Sequence, residues 1–331
     1  MSVLRVGTRG SELAMAQTGQ VADALRASGC EVELVPVRTA GDRSKASLVD
    51  LAGALGGTGI FVSALRARLA DGSIDVAVHS LKDLPVAPAD GLTLAAVPRR
   101  ADPADVLVSA HPGGFAGLPP GATVGTGSPR RAAQLLLERS DLSVVPIRGN
   151  VGTRLNLVGR SVDAVVLAAA GLLRSGRAEV LAEASRLTFM LPAPGQGALA
   201  VETRTDAVDG PWWPHLQALD ERDTRACVCA ERALLGTLEA GCTAPVGALA
   251  TIGANDGALH LDGAVLAADG TTAVRGAVDG SVDDAEAIGA ELGHRLLSAG
   301  AADLLSARLD QHESAQHEQH SHQPEDRVRS R

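Results

Sequence analysis

Cys242 lies in Leu238-Glu239-Ala240-Gly241-Cys242-Thr243-Ala244-Pro245, a loop between a long helical stretch and a strand-like one. A flexible, glycine-flanked loop can present a thiolate to a cleft, whereas a structural cysteine usually sits inside an element. Cys227 and Cys229 stand two apart in a helical stretch and read as packing residues. With Cys242 they lack the C-x-x-C spacing of a metal site. A second chemical group, His79-Ser80-Leu81-Lys82-Asp83-Leu84-Pro85, follows a strand-like run. Asp83 could act as a general acid or stabilise a developing cation, and Lys82 could neutralise an anionic substrate group. The plainer alternative is a turn in which Asp83 caps a helix and Lys82 is solvated.

Three further loops share a design of strand, Gly/Ser/Thr-rich turn and helix, with arginine at the junction. They are Gly7-Thr8-Arg9-Gly10-Ser11, Gly125-Thr126-Gly127-Ser128-Pro129-Arg130-Arg131 and Ile147-Arg148-Gly149-Asn150-Val151-Gly152-Thr153-Arg154. Ser128 suits the N-cap and Pro129 the first helical position. Helix N-termini attract anions, and the arginine fork grips carboxylate or phosphate with two hydrogen bonds. Each loop alone is also what a capped helix with surface arginines looks like. Three together, in a chain of net charge −9, favour a basic cleft for a ligand with several negative charges. Neither G-x-x-x-x-G-K-[ST] nor G-x-G-x-x-G occurs, which counts against the commonest nucleotide sites.

These groups need a scaffold, and 331 residues with 45% hydrophobic content suggest two or three domains. The acidic balance and the scarcity of aromatics (three Phe, two Trp, no Tyr) argue against nucleic-acid partners. No apolar run reaches the roughly 18 residues of a spanning helix, and no signal-peptide core follows Met1. A cytoplasmic protein with reduced thiols and no membrane association is expected. Lys45 and Lys82 are the only lysines.

Alternating patterns predict strands over 3–7, 32–37, 74–79, 123–125, 143–147 and 163–167, and helices over 11–27, 61–70 and 130–139. Ser73-Ile74-Asp75-Val76-Ala77-Val78 and Ser161-Val162-Asp163-Ala164-Val165-Val166 share a pattern, so two related α/β lobes facing one cleft are expected. The position after the second of these, Leu167-Ala168-Ala169-Ala170-Gly171, lacks the functional groups of 79–83. In the last third, helices over 214–235 and 283–305 and strands over 244–252, 259–266 and 272–278 indicate a small α+β domain. The His-rich segment 309–331 reads as a disordered tail.

In their order, Gly7–Ser11, His79–Asp83, Arg148–Arg154, Leu191-Pro192-Ala193-Pro194-Gly195-Gln196-Gly197-Ala198 and Glu231-Arg232 running on to Cys242-Thr243-Ala244-Pro245 resemble the porphobilinogen deaminase (hydroxymethylbilane synthase) family, over residues 3–305. The resemblance implies two periplasmic-binding-protein-like α/β lobes, 1–98 with 195–212 and 103–191, plus an α+β domain at 216–308. It implies a transferase of porphyrin and heme biosynthesis that joins four porphobilinogen molecules head to tail, losing ammonia, to give hydroxymethylbilane. A dipyrromethane cofactor would be held by a thioether to Cys242. Asp83, helped by Lys82, would be catalytic, stabilising the positive azafulvene. Arg9, Ser11, Arg148, Arg154 and Arg174 would bind substrate. Lys82, Asp83, Thr126, Ser128, Arg130, Arg131, Arg148 and Arg154 would hold the cofactor. A cytoplasmic monomer without metal is implied. The chain departs from the family pattern in having no lysine over 54–63, alanine at 240 and proline at 129.

The main rivals are a solute-binding module, which would need neither Asp83 nor Cys242, and a thiol hydrolase pairing Cys242 with His79.

Overall fold

A computed structural model describes residues 3–37, 59–240, 244–254 and 257–306. Cys242, the lysine-free stretch 54–58 and the tail 309–331 lie outside the described residues.

The chain starts with β1 (Leu4–Arg9), α1 (Glu12–Ala27), β2 (Val32–Val37), α2 (Gly59–Ala70), β3 (Val76–Ser80) and β4 (Leu92–Ala96). Ser11 caps α1 by accepting from Ala14 N, and Val21, Ala22 and Leu25 turn its apolar stripe onto the sheet. Gly7 is required by close approach: a Cβ there would stand 2.3 Å from Ile74 Cδ1.

The second lobe follows with β5 (Asp105–Ser109), β6 (Thr123–Gly125), α3 (Pro129–Glu138), β7 (Ser143–Val145), α4 (Val151–Leu155), β8 (Ala164–Ala168), α5 (Ala169–Arg174), α6 (Ala178–Glu183) and β9 (Ser185–Arg186). The chain then returns as β10 (Leu199–Arg204).

The two lobe sheets have one plan. The first runs β2-β1-β3-β10-β4 and the second β7-β6-β8-β5-β9. In each, three parallel strands are followed by an antiparallel strand that arrives from the crossover between lobes. The carboxyl ends of the parallel strands therefore face the junction, where ligands bind in open α/β sheets.

The last part comprises α7 (Trp213–Gln217), α8 (Arg222–Thr237), β11 (Val246–Ile252), β12 (Leu259–Leu266), β13 (Ala273–Gly280) and α9 (Ala285–Leu296). Its antiparallel sheet β11-β12-β13 carries α8 and α9 on one face, around Leu234, Leu259, Leu261 and Leu292. A Cβ at Gly289 would come within 2.2 Å of Ala230 O, so the small residue lets the two helices pack closely.

Two helix expectations need correction. The helix expected over 214–235 is two helices, because Asp220 Oδ1 accepts from Val97 N at 2.7 Å and Glu221 caps α8. Those side chains hold residues 218–221 in a turn. The helix expected over 283–305 begins as a short 3-10 turn, runs regularly as α9, and widens into a π turn at Leu297–Ala301, where Gly300 has φ 99°.

Helix α8 also fastens the third domain to the lobes. Glu231, fully buried, accepts from Arg100 Nη1 at 2.6 Å, Gly195 N at 2.6 Å and Ala250 N at 2.8 Å. Arg232 donates to the carbonyls of Leu84, Pro85 and Val86.

Candidate active site

The segment after β3 is a 3-10 turn, Leu81–Asp83. Leu81 and Leu84, 0% and 4% exposed, bury its two ends beside Val62, Val97, Ala198 and Ala200. Burying a leucine stabilises by about 1.5–3 kcal/mol, so the pair anchors the turn and leaves Lys82 and Asp83 on its open side. Leu81 N donates to Ala198 O at 3.1 Å, tying the turn to the returning crossover.

That open side faces a cleft of about 340 Å³ between the lobes. Arg9, Ser11, Gln17, His79, Lys82 and Asp83 line it from the first lobe. Arg131, Asn150, Arg154 and Arg174 line it from the second, and Gln196 and Gly197 from the crossover. Among the described residues, five permanent or readily formed cations thus face a single carboxylate, Asp83.

The cations crowd one another. Burial, and then repulsion from Arg131, lowers the basicity of Arg154; burial alone does the same to Arg174. Lys82 keeps partial access to the cleft, yet burial pulls its ammonium down to about 8, against the attraction of Asp83. A bound polyanion would relieve all three. Arg154 Nε donates to Gly149 O at 2.9 Å, and Arg174 Nη2 donates across the junction to Gly197 O at 2.8 Å.

Thr126, Ser128, Arg130 and Arg148, also expected to bind ligand, lie outside the cleft lining. Ser128 caps α3 by accepting from Arg131 N, and Thr126 Oγ1 accepts from Ser128 N at 3.2 Å. Arg130 is 3% exposed; its guanidinium meets Asp105 Oδ2 at 2.8 Å and the Leu191 carbonyl. Arg148 is exposed and, with Thr126, Ser128 and Arg130, is not among the cleft-lining residues.

Asp105 is the main residue that sequence reasoning missed. It opens β5 at 0% exposure and accepts from Arg131 Nε and Nη2 at 3.0 and 2.7 Å. Burial works to raise its pKa, but Arg130 and Arg131 outweigh it and hold the carboxyl down to about 2. Its signal was two consecutive arginines at a helix start together with one acid heading the apolar run Asp105-Val106-Leu107-Val108. Glu202 on β10 plays the matching part in the first lobe. Arg66 Nε and Nη2 donate to it at 3.1 and 2.8 Å, and His79 Nε2 lies 3.1 Å away. Although burial opposes this, those partners keep Glu202 at about 2.

No group of three metal-ligating side chains occurs among the described residues, and no helix there is long and apolar enough to cross a membrane.

The chain is similar to known proteins over most of its length. The family described as "Porphobilinogen deaminase, dipyromethane cofactor binding domain" matches residues 4–209, and "Porphobilinogen deaminase, C-terminal domain" matches 225–298. The chain is 52% identical to the porphobilinogen deaminase of Acidothermus cellulolyticus, over 93% of this chain and 92% of that one. It is 50% identical to the porphobilinogen deaminase of Thermobifida fusca, over 91% and 95% respectively. Among solved structures, a periplasmic substrate-binding protein of an ABC transporter from Coxiella burnetii aligns with a TM-score of 0.40 and 16% identity, over 65% of this chain and 91% of that one.

Proposed function

The chain belongs to the porphobilinogen deaminase family, and from that premise we propose how its cleft does the work. It is a transferase acting on porphobilinogen, with a dipyrromethane cofactor. We infer that it joins four porphobilinogen molecules head to tail, releases one ammonia per condensation and yields hydroxymethylbilane. The cofactor is attached through the Cys242 sulfur, and the protein works as a cytoplasmic monomer.

The observation that carries this reading is that, among the described residues, Asp83 is the one carboxylate lining an inter-lobe cleft with five cations. Pyrroles that each bear an acetate and a propionate fit that donor set: cations for the side chains, and one acceptor for ring N–H groups. When bound, the dipyrromethane supplies the terminal pyrrole carbon to which the first substrate is joined. Arg9, Ser11, Arg154, Arg174 and Lys82 grip substrate carboxylates, and Arg131 and Lys82 grip those of the cofactor. Arg130, Thr126 and Ser128 support by shaping the α3 end of the cleft, and Arg148 by charge at its mouth. Asp83 accepts from the substrate pyrrole N–H and stabilises the positive charge that develops as ammonia leaves. A fixed carboxylate in a partly dry cleft is more effective there than in water, because it needs no reorganisation.

The test is the intact-protein mass of the active chain. It should exceed the mass of the sequence by two linked pyrrole units, and Cys242→Ser should lack the increment. Normal turnover by an unmodified chain would overturn the tether.

A further inference from the structure

Gln196 is 1% exposed where the lobes meet, and its surroundings allow its amide one orientation. Nε2 donates to the Pro103 carbonyl at 2.7 Å and to Asp105 Oδ1 at 2.8 Å. A carbonyl and an ionised carboxylate only accept, so the nitrogen must face them and the oxygen must point away. On that other side Oε1 accepts from Lys82 Nζ at 3.2 Å. The main chain is held as well: Arg100 Nε donates to Gln196 O at 2.8 Å, and Gln196 N donates to Ala193 O at 2.9 Å.

We propose that Gln196 is a positioning residue for the reaction, a neutral strut that holds the Lys82 ammonium of the first lobe apart from, yet coupled to, the Asp105 carboxylate of the second. This rests on the cleft being the site of porphobilinogen condensation. Without the strut, Lys82 is released toward the two carboxylates that attract it, Asp83 and Asp105. Pairing with Asp83 would occupy the carboxylate that the substrate needs, and reaching toward Asp105 would loosen the grip on Arg131.

The groups facing Lys82 make this acceptor decisive. Asp83 on its own turn and Asp105 on β5 favour its charge, while Arg130 and Arg131 on α3 oppose it. Arg9 from β1, Arg154 from α4 and Arg174 from α5 add to the positive field, and His79 of β3 lines the same cleft. With burial already holding Lys82 at about 8, one hydrogen bond to the charged form shifts how much of it is cationic near neutral pH.

Because Lys45 and Lys82 are the only lysines, lysine-selective 15N NMR of the full, cofactor-loaded chain reads them individually, with Lys45→Arg assigning the pair. Gln196→Met removes the acceptor and is expected to lower the Lys82 midpoint by about one pH unit, tenfold in its ionisation constant. Gln196→Glu would set a carboxyl against the Pro103 carbonyl and the Asp105 carboxylate, so it takes up a proton there, keeps a neutral acceptor for Lys82 and is expected to leave the midpoint near that of wild type. In steady-state assays Gln196→Met should raise KM for porphobilinogen about tenfold above the wild-type midpoint, less below it, and should change kcat less. A midpoint that stays put in Gln196→Met, or that falls equally in Gln196→Glu, would overturn the strut, as would a KM increase independent of pH. Should Gln196→Met fail to fold, Gln196→Leu, which also removes the acceptor, is read by the same criterion. A wild-type chain that does not turn over porphobilinogen would instead sink the reading of the cleft, and the midpoints would still judge the strut.

Discussion

The two lobes share a strand plan and differ at one corner. After its third parallel strand the first lobe makes the Leu81–Asp83 turn, with Lys82 and Asp83 facing the cleft. After the equivalent strand β8 the second lobe passes straight into α5, where Ala169, Ala170 and Leu172 are buried and the first charged side chain is Arg174. Both lobes also bury a carboxylate on the antiparallel strand, Glu202 on β10 and Asp105 on β5. In the first lobe that acid holds Arg66 of α2; in the second it holds two arginines of α3 and, through Gln196, the lysine opposite. The duplication thus divides the labour. One copy sets Asp83 in the cleft beside Arg9 and Lys82, and the other adds Arg131, Arg154 and Arg174 across from it.

The largest expected effect falls on the second lobe. Asp105→Ala leaves Arg130 and Arg131 buried without their counter-charge and should cost about 3–5 kcal/mol in urea unfolding. A cost below about 1 kcal/mol would show that the pair is held by other groups. In the first lobe, Asp83→Asn should cut condensation by about 10²-fold or more with little change in unfolding. A few-fold loss would remove Asp83 from the centre of the chemistry.

Acid should weaken both lobes in one window. Asp105 and Glu202 have folded-state pKa values held below the ordinary carboxylate range, each at about 2. Their contributions are therefore complete above the unfolded values, near pH 4, and are lost as pH falls toward 2. Each contributes on the order of 2 kcal/mol. Unfolding midpoints measured between about pH 6 and 2 check this; a flat profile through that window would exclude both acids. The smallest effect belongs to the surface link Arg177–Glu12, 3.4 Å across the lobe junction. Glu12→Gln should change stability by at most about 1 kcal/mol, and a larger loss would mean that this contact is not the solvent-screened pair its exposure suggests.

Much of the scaffold is legible from local pattern. The strands expected over 32–37 and 259–266 coincide with β2 and β12, because a run rich in β-branched and apolar residues ends at clear turn signals on both sides. The strands β4 and β5 escaped. Leu92–Ala96 is short, and β5 opens with an acid after Pro103, which reads as surface until two arginines are known to cover it. The same applies to the cleft. Lys82 and Asp83 stand out by type and by flanking leucines, and Arg9, Arg131, Arg154 and Arg174 do line the cleft. Local pattern could not separate Arg130 from Arg131. They are adjacent in sequence, and which one lines the cleft depends on the contacts of Arg130 with Asp105 and Leu191, 25 and 61 positions away. Glutamine 196 likewise gains meaning only when both of its partners are present.

The grip of Arg232 on the carbonyls of Leu84, Pro85 and Val86 sets a dimension. Helix α8 runs on from Arg232 to Thr237, a rise of roughly 8 Å at 1.5 Å per residue, before the loop bearing Cys242 begins. A rigid rod of that length therefore joins the back of the Asp83 turn to the root of the cysteine loop. Because the helix does not stretch, the root of that loop keeps a fixed distance from the Asp83 turn, and a ligand that reached both would have to span it.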